Sequence, residues 1–426
     1  MIGTLDTKTQ EITYLAELIE SMGGRPTIMD ASTGRGDQAS AAAQGRFPLV
    51  TREDVARAAG TSGDAIATME RGEAISVMRG GIAALAVAMA DAGEIAGAIC
   101  IGGAGAHLAG PAFQALALGF PKLIVTPLAS GHRTFEPYVG LRDVAVLHSV
   151  ADIAGINSVT APVYLQAAGY IVGAARAHRN LALPDTATDS IAVSMNGNTT
   201  PALTRARSRF EAAGFSCVTF HANGVGGRAL EDFVASGRAV AALDFTTTEL
   251  SAHLVGGLMD SGPDRMEAAG RRGIPQVLVP GCVDFITCGR WDDAEREFPG
   301  RLMFRHNPEL TLVHLTVEEM AEVGRAFARK ASTAAGPTTI CVPMRGFSVH
   351  DCDGGEFWDR DADAAFVAAL QEGLSTSVQL RLIDAHINDD DFSDIVVEQL
   401  LALLGAGGPA GAVVEEIDHP LTSTNP

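Results

Sequence analysis

Two rhythms of apolar and polar positions take turns along this chain. Short unbroken apolar runs, "PTIMD", "IAGAICIGG" and "PKLIVTP", have the length and branched-residue content of strands buried on both faces. Between them lie segments of helical period: "EITYLAELIESMGG", "AISVMRGGIAALAVAMADAG" and "SVTAPVYLQAAGYIVGAARAH". The second of these is so apolar that burial is expected for it. The polar stretch 31–64 predicts a long loop with a short helix. "MIGTLDTK" enters at the end of a strand, which predicts a short edge strand or a start that falls a few residues late.

The segment 179–190, "RNLALPDTATDS", is polar, contains Pro184 and leads into a fresh strand, "IAVSMNG", so it predicts a linker. The rhythm then resumes with helix "PALTRARSRFEAAG", strand "FSCVTFHA", helix "RALEDFVASG" and strand "AVAALDF". Further strands are "PQVLVPG", "TLVHLT", "TTICVPM" and "SVQLRLID". Thr316 and Glu319 form a capping box ahead of "VEEMAEVGRAFARKA". Alternation of this kind predicts the α/β class: two tandem Rossmann-like, doubly wound parallel-sheet domains, 1–180 and 190–404, with a cleft between them. Residues 405–426 predict a loosely ordered tail.

Bulk composition narrows the partners. The 426 residues suit two domains, and 47% hydrophobic with 19% charged residues suits globular folding. A formal net charge of −20 argues against nucleic acid and against an anionic membrane surface. Six cysteines without a C-x-x-C pair point to free thiols, four of them in or beside apolar runs. With no signal peptide and no unbroken run of 18 apolar residues, a cytoplasmic protein is expected.

Nearly all the unusual polar and glycine sequence falls where strands lead into helices. In the first half these loops are "GTLDTK" (Thr4, Asp6, Thr7, Lys8), "GGAGAH" (Gly102, Gly103, Gly105) and "PLASGHRT" (Ser130, Gly131). In the second they are "NGNTTP" (Thr199, Thr200), "HANGVGGR" (Asn223, Gly224, Gly226, Gly227, Arg228), "DFTTTE" (Asp244, Thr246, Thr247, Thr248, Glu249), "PGCVDF" and "AHINDDDF" (His386). Loops at the opposite ends, such as "MGGRP" and "AAGFS", are plain. A functional face at the carboxyl ends of both sheets follows. Glycine amides at helix starts, with Arg228 beside them, suit a phosphate. Hydroxyls and carboxylates suit magnesium or proton transfer, which makes Asp6, Asp244, Glu249 and His386 the catalytic candidates. Bland readings stand beside these: Thr7 with Gln10 forms a capping box, and the threonines cap helices. Gly224, Gly226 and Ala229 also fit G-x-G-x-x-A, with Asp244 placed for a ribose hydroxyl, so a dinucleotide fingerprint is a further alternative. "DCDGGE" starts like a calcium loop but lacks the rest of the ligand spacing.

Taken together, "GTLDTK", "GFPKLIVTPLASG", "HSVADIAGINSVTAPVYLQAAGYIVG", "HANGVGGRALEDF", "LDFTTTEL", "GPDRMEAAGRRGIPQVLVPGCVDF" and "AHINDDDFSD" resemble the Tm-one-like ATP-binding domain family, from residue 2 to about residue 400. The resemblance implies two Rossmann-like subdomains, ATP (with magnesium) in the cleft between them, and homodimers. It carries over Thr4 to Lys8, Asn223 to Arg228 and Thr246 to Glu249 as site residues. The chain departs from the family at 102–107, where "GGAGAH" replaces the more usual "GGSGGT" and two hydroxyls are lost, to Ala104 and His107. The family names a ligand and no reaction. Three functions therefore stand: an enzyme acting on a nucleotide or other phosphorylated small molecule, a ligand-binding or inhibitory module without turnover, and an NAD-dependent oxidoreductase.

Overall fold

A computed structural model of the chain describes residues 1–34, 45–129, 136–181 and 189–405. Ser130, Gly131, most of the 179–190 linker and the tail beyond residue 405 lie outside the described residues. The chain divides into two compact units, Met1–Asp185 and Thr186–Pro426.

The first unit is a six-stranded parallel sheet. Its strands are β1 (Ile2–Gly3), β2 (Ile28–Asp30), β3 (Leu49–Val50), β4 (Ala98–Ile101), β5 (Lys122–Thr126) and β6 (Ala145–His148), in the order β3-β2-β1-β4-β5-β6. The short strand β1 was expected at an edge, yet it sits in the middle. Ile2 pairs with Met29 of β2 on one side and with Cys100 of β4 on the other. The strand is short because Leu5 already begins the helix Leu5–Ser21. Strand pleating sends alternate residues to opposite faces. Cys100 and Ile124 meet the helices Arg52–Ala58, Arg71–Asp91 and Gly110–Ala115, while Ile99, Ile101, Leu123 and Val125 meet Leu5–Ser21 and Thr160–Asn180.

The apolar helix Arg71–Asp91 is not buried all round. Ala74, Met78, Gly81, Ile82 and Ala86 form its one buried stripe. Gly81 is required there, since a Cβ at that position would lie 2.1 Å from the Val55 carbonyl oxygen. Among the described residues this is the one helix long and apolar enough to cross a membrane by length and composition, with 28% of its most apolar window buried.

In the second unit the strands are β7 (Ser190–Met195), β8 (Ser216–His221), β9 (Ala241–Thr246), β10 (Gln276–Gly281), β14 (Thr338–Pro343) and β15 (Gln379–Ile383). They form a parallel sheet in the order β15-β14-β10-β9-β7-β8. Helices cover both faces: Val277, Val279 and Cys341 face one core, and Leu278, Ile340 and Val342 the other. An antiparallel three-stranded sheet is inserted after β10, in the order β11 (Phe285–Cys288), β13 (Leu310–His314), β12 (Met303–Asn307). "TLVHLT" belongs to this insertion and not to a parallel sheet. The Thr316–Glu319 capping box forms as read.

Candidate functional site

In a doubly wound sheet the connections leave neighbouring strands toward opposite faces at one point only. The loops part there and leave a crevice at the carboxyl ends. In the first unit that point lies between β1 and β4, and in the second between β7 and β9. The loops flanking these points are those of Thr4–Lys8 with Gly102–Gly103, and of 196–201 with 246–249.

The loops of the second unit are closed on themselves. Thr199, Thr246, Thr247, Thr248 and Glu249 are all buried. Thr199 Oγ1 and Thr246 Oγ1 bond each other at 2.8 Å, and Thr247 Oγ1 donates to Val279 O. Thr200 is exposed, and its hydroxyl donates to Asn196 O.

The glycine turn that follows β8 holds an anion of its own. Gly224, with φ +90°, and Gly227 both donate their N–H to Glu249 Oε1, at 2.6 and 2.9 Å. Gly226 N–H is taken by the side chain of the exposed Asn223. Glu249 Oε2 accepts from Arg265 Nε at 2.6 Å. Arg265 is 1% exposed, and its guanidinium also grips both oxygens of Asp244 and reaches Glu231. Burial of Glu231 pushes its carboxyl pKa up against the pull of Arg265. Asp244 Oδ1 additionally accepts from Ser194 Oγ. The turn leaves the edge strand of its sheet, away from the switch point, and its two inner amides are occupied by a carboxylate. Asp244 is likewise committed to Arg265 and not turned toward a ribose. Asp244 and Glu249 thus form an enclosed ion network with Arg265, a residue that sequence reading passed over. Nothing in "GPDRMEAAG" marks Arg265, since its partners are 16, 21 and 34 positions away.

His386 pins two loops together. Its Nε2 donates to Ser348 O at 2.8 Å while its Nδ1 accepts from Asn388 N–H, which sets the neutral Nε2–H tautomer. Below it lies a group of acids whose meeting the sequence does not show, although "PGCVDF" and "DCDGGE" each stand out in it. Asp284 and Asp351 are fully buried, and Asp363 stands beside them on the helix Arg360–Gly373. Ser348 Oγ donates to Asp284 Oδ2 and Phe347 N–H to Asp351 Oδ2, but Asp284 Oδ1, Asp351 Oδ1 and Asp363 Oδ2 have no partner among the described residues. Burial pushes Asp284 well above the usual carboxylate range, Asp351 up to about 6 and Asp363 up to about 8; the charge of Asp351 adds to the rise of Asp284 and Asp363, whereas Asp363 holds Asp351 down. Asp351 begins "DCDGGE". Among the described residues no group of His, Cys, Asp or Glu is arranged to hold a metal ion.

The first unit is different, because its candidate side chains remain accessible. Asp6 and Thr7 are exposed, and Thr4 and Lys8 are half-buried. The helix starts at Leu5, so the expected Thr7–Gln10 capping box does not form; Thr4 Oγ1 and Thr7 Oγ1 bond each other at 2.9 Å instead. Asp30, at the end of β2, and Ser32 satisfy the first two helical amides. Lys8 breaks the helical backbone (φ −131°, ψ 23°), and its Nζ donates to Ile153 O. Across the crevice, Gly102 N–H donates to Val125 O, Gly103 follows with an irregular backbone, and Gly105 lies in the short 3₁₀ helix Ala104–Leu108. His107 is stacked on Tyr138, ring centroids 4.4 Å apart.

A third wall comes from the start of "HSVADIAGINSVTAPVYLQAAGYIVG", a stretch that supplied no candidate site residue. The connection after the edge strand β6, residues 149–157, returns over the carboxyl ends. Ser149 N–H donates to Thr126 O at the end of β5, Lys8 holds Ile153, and Gly155 N–H donates to the buried Glu11 Oε1 at 2.6 Å. Val150 within it adopts φ +65°, a conformation that is costly for a β-branched residue.

Fold and topology define a tandem pair of parallel α/β units, each with a loop-lined crevice at the carboxyl end of its sheet. The chain belongs to the family described as "Uncharacterised protein family (UPF0261)": its N-terminal domain matches residues 1–180 and its C-terminal domain residues 188–404. A UPF0261 protein of Clostridium tetani is 34% identical over 95% of this chain and 98% of its own length. Another from Rhizobium meliloti is 35% identical over 93% of this chain and 96% of its own length. The tomato ToMV susceptible protein tm-1 is 32% identical over 96% of this chain, which spans 56% of that protein. A Streptomyces glycosyltransferase solved with thymidine diphosphate covers 95% of both chains at 10% identity, but its TM-score of 0.15 carries no structural equivalence.

Proposed function

We propose that this chain binds a phosphate-bearing small molecule, a nucleotide of the ATP type, at the β1–β4 crevice of its first unit, and that it does so without turning the ligand over. The observation that carries this reading is the contrast between the two switch points. The polar residues flanking β7 and β9 are mostly buried and bonded to one another, whereas Thr4, Asp6, Thr7 and Lys8 remain accessible beside Gly103. Two hydroxyls, an ammonium and a glycine backbone suit phosphate oxygens. Asp6 is the acid placed to meet a magnesium ion carried by that phosphate. Binding without turnover is favoured because Asp244, Glu249 and His386 are tied into the protein's own scaffold. The tomato relatives are named for susceptibility and resistance to ToMV, names that state no reaction.

The test is a melting curve with ATP, AMP and NADH at millimolar concentration, paired with an assay for ADP. A ligand that binds only the folded form raises the melting temperature by mass action. ATP is expected to shift the curve, with no ADP formed. Steady ADP release would restore the enzyme reading, a shift with NADH alone would favour the oxidoreductase, and three unmoved curves would remove nucleotides altogether.

A further inference from the structure

The first turn of the helix Leu5–Ser21 has no amide left for a ligand. Leu5 N–H and Asp6 N–H donate to Asp30 Oδ1 and Ser32 Oγ, and the N–H groups of Thr7 and Lys8 donate to Thr4 O. The Thr4 and Thr7 hydroxyls bond each other, and one of the three ammonium donors of Lys8 goes to Ile153 O. Asp30 is buried against this turn and Asp6 is exposed on it. Two carboxylates against one ammonium leave the end of β1 negative, so a phosphate there needs a second cation.

Arg52 is placed to supply it. It opens the helix Arg52–Ala58, just after β3. Strand β3 stands two places from β1 in the sheet, about 10 Å by ordinary strand spacing. The arginine side chain reaches into that gap, and its Nη1 donates to Gly34 O. Asp6 meets the same glycine: the place where a side chain on Gly34 would begin is 2.6 Å from Asp6 Oδ2. Gly34 therefore touches both groups, yet Arg52 and Asp6 form no ion pair among the described residues. The acids of its own helix are committed elsewhere. Glu53 Oε2 accepts from Gly63 N–H at 2.7 Å, and Asp54 accepts from Thr51 N–H and from Arg57. Arg52 is half-buried, and four of its five N–H groups donate to no described residue.

We infer that Arg52 is the phosphate-reading residue of the first-unit site, and that the ligand carries a chain of phosphates, as a nucleoside di- or triphosphate does and a monophosphate does not. This rests on the crevice reading above. The two cations approach Asp6 from opposite flanks of β1: Lys8 is tied to the 149–157 connection, and Arg52 comes from the β3 side. A row of phosphates meets both, with Asp6 between them for the accompanying magnesium ion. The planar guanidinium can fork two oxygens of one phosphate, which an ammonium cannot.

Calorimetry with ATP and with AMP, both with magnesium, tests this on wild type, Arg52→Met and Arg52→Lys. Wild type is expected to bind ATP more tightly than AMP. Arg52→Met is expected to weaken ATP about ten- to a hundredfold and to leave AMP unchanged, so the preference shrinks. Arg52→Lys, which keeps the charge and loses the fork, should fall between the two. Equal wild-type affinity for ATP and AMP overturns the inference, as does unchanged ATP affinity in Arg52→Met. A lower melting temperature of the free variant with both ligands weakened alike overturns it too, and makes Arg52 only a brace for Gly34. If wild type binds neither probe, the crevice reading fails and this inference falls with it; if wild type binds ATP, only the Arg52 assignment is at stake.

Discussion

Arg265 shows how one side chain can settle the meaning of several others. A buried guanidinium facing Asp244, Glu249 and Glu231 is stabilising only as a complete set, since removing one partner leaves the others charged and out of water. Arg265→Met is expected to cost about 3–5 kcal/mol in urea unfolding. Adding Glu249→Gln should recover part of that, because it removes a stranded charge while keeping an acceptor for Gly224 and Gly227. The Asp351–Asp363 pair predicts a pH effect of definite sign. Both carboxyls hold their protons to higher pH when folded than an ordinary carboxylate does, so the folded state binds more protons and stability falls as pH rises from about 4 through about 8. Asp363→Asn should therefore gain melting temperature over wild type progressively across that range and level off above it. A constant difference at every pH would rule the shared burial out.

At the scale of elements, Gly227 and Arg228 separate two views of the same turn. A Cβ on Gly227 would stand 2.1 Å from Glu249 Oε2, so Gly227→Ala should lower stability by about 1–3 kcal/mol in chemical unfolding, through overpacking. Arg228→Ala is expected to leave ATP affinity unchanged in calorimetry, because the anion of its turn is Glu249. A ten- to hundredfold loss would return the turn to the ligand site. Sequence rhythm made most long helices and buried strands legible, along with the position of the polar loops at the carboxyl ends. It did not reveal β3 or β6, which are short and half-exposed, so their apolar signal is weak. Nor could it tell a loop that faces a ligand from one that faces its own chain. That distinction rests on contacts such as Gly155 with Glu11, which lie 144 positions apart.

For the whole molecule, strand order was the least legible property, and it decided the site. The two units share a rhythm but not an order, β3-β2-β1-β4-β5-β6 against β15-β14-β10-β9-β7-β8, because order depends on which face each crossover takes. Their switch points consequently fall after different strands, and the crevice of the second unit has the larger share of its polar residues buried. The net charge of −20 acts on every anionic ligand from a distance, so the association rate of ATP should rise with added salt, opposite to the usual case of attraction. Stopped-flow measurement across ionic strength checks this. Leu165 and Tyr170 are exposed on the helix Thr160–Asn180, and a homodimer is expected; light scattering should give about twice 44.2 kDa, and a monomer mass would count against it.

Each unit is one unbroken stretch of chain, and that bears on how the molecule is made. A ribosome adding roughly 5–20 residues per second spends some tens of seconds on Thr186–Pro426 after Met1–Asp185 has been made. Parallel sheets fold slowly by the standard of small domains, in roughly milliseconds to seconds, which still fits within that interval. At that rate the β8 edge strand of the second unit, Ser216–His221, follows Asp185 by roughly 2–7 s. A first-unit sheet that closes in milliseconds to about a second, with β1 at its centre, does so before β8 exists to mispair with it.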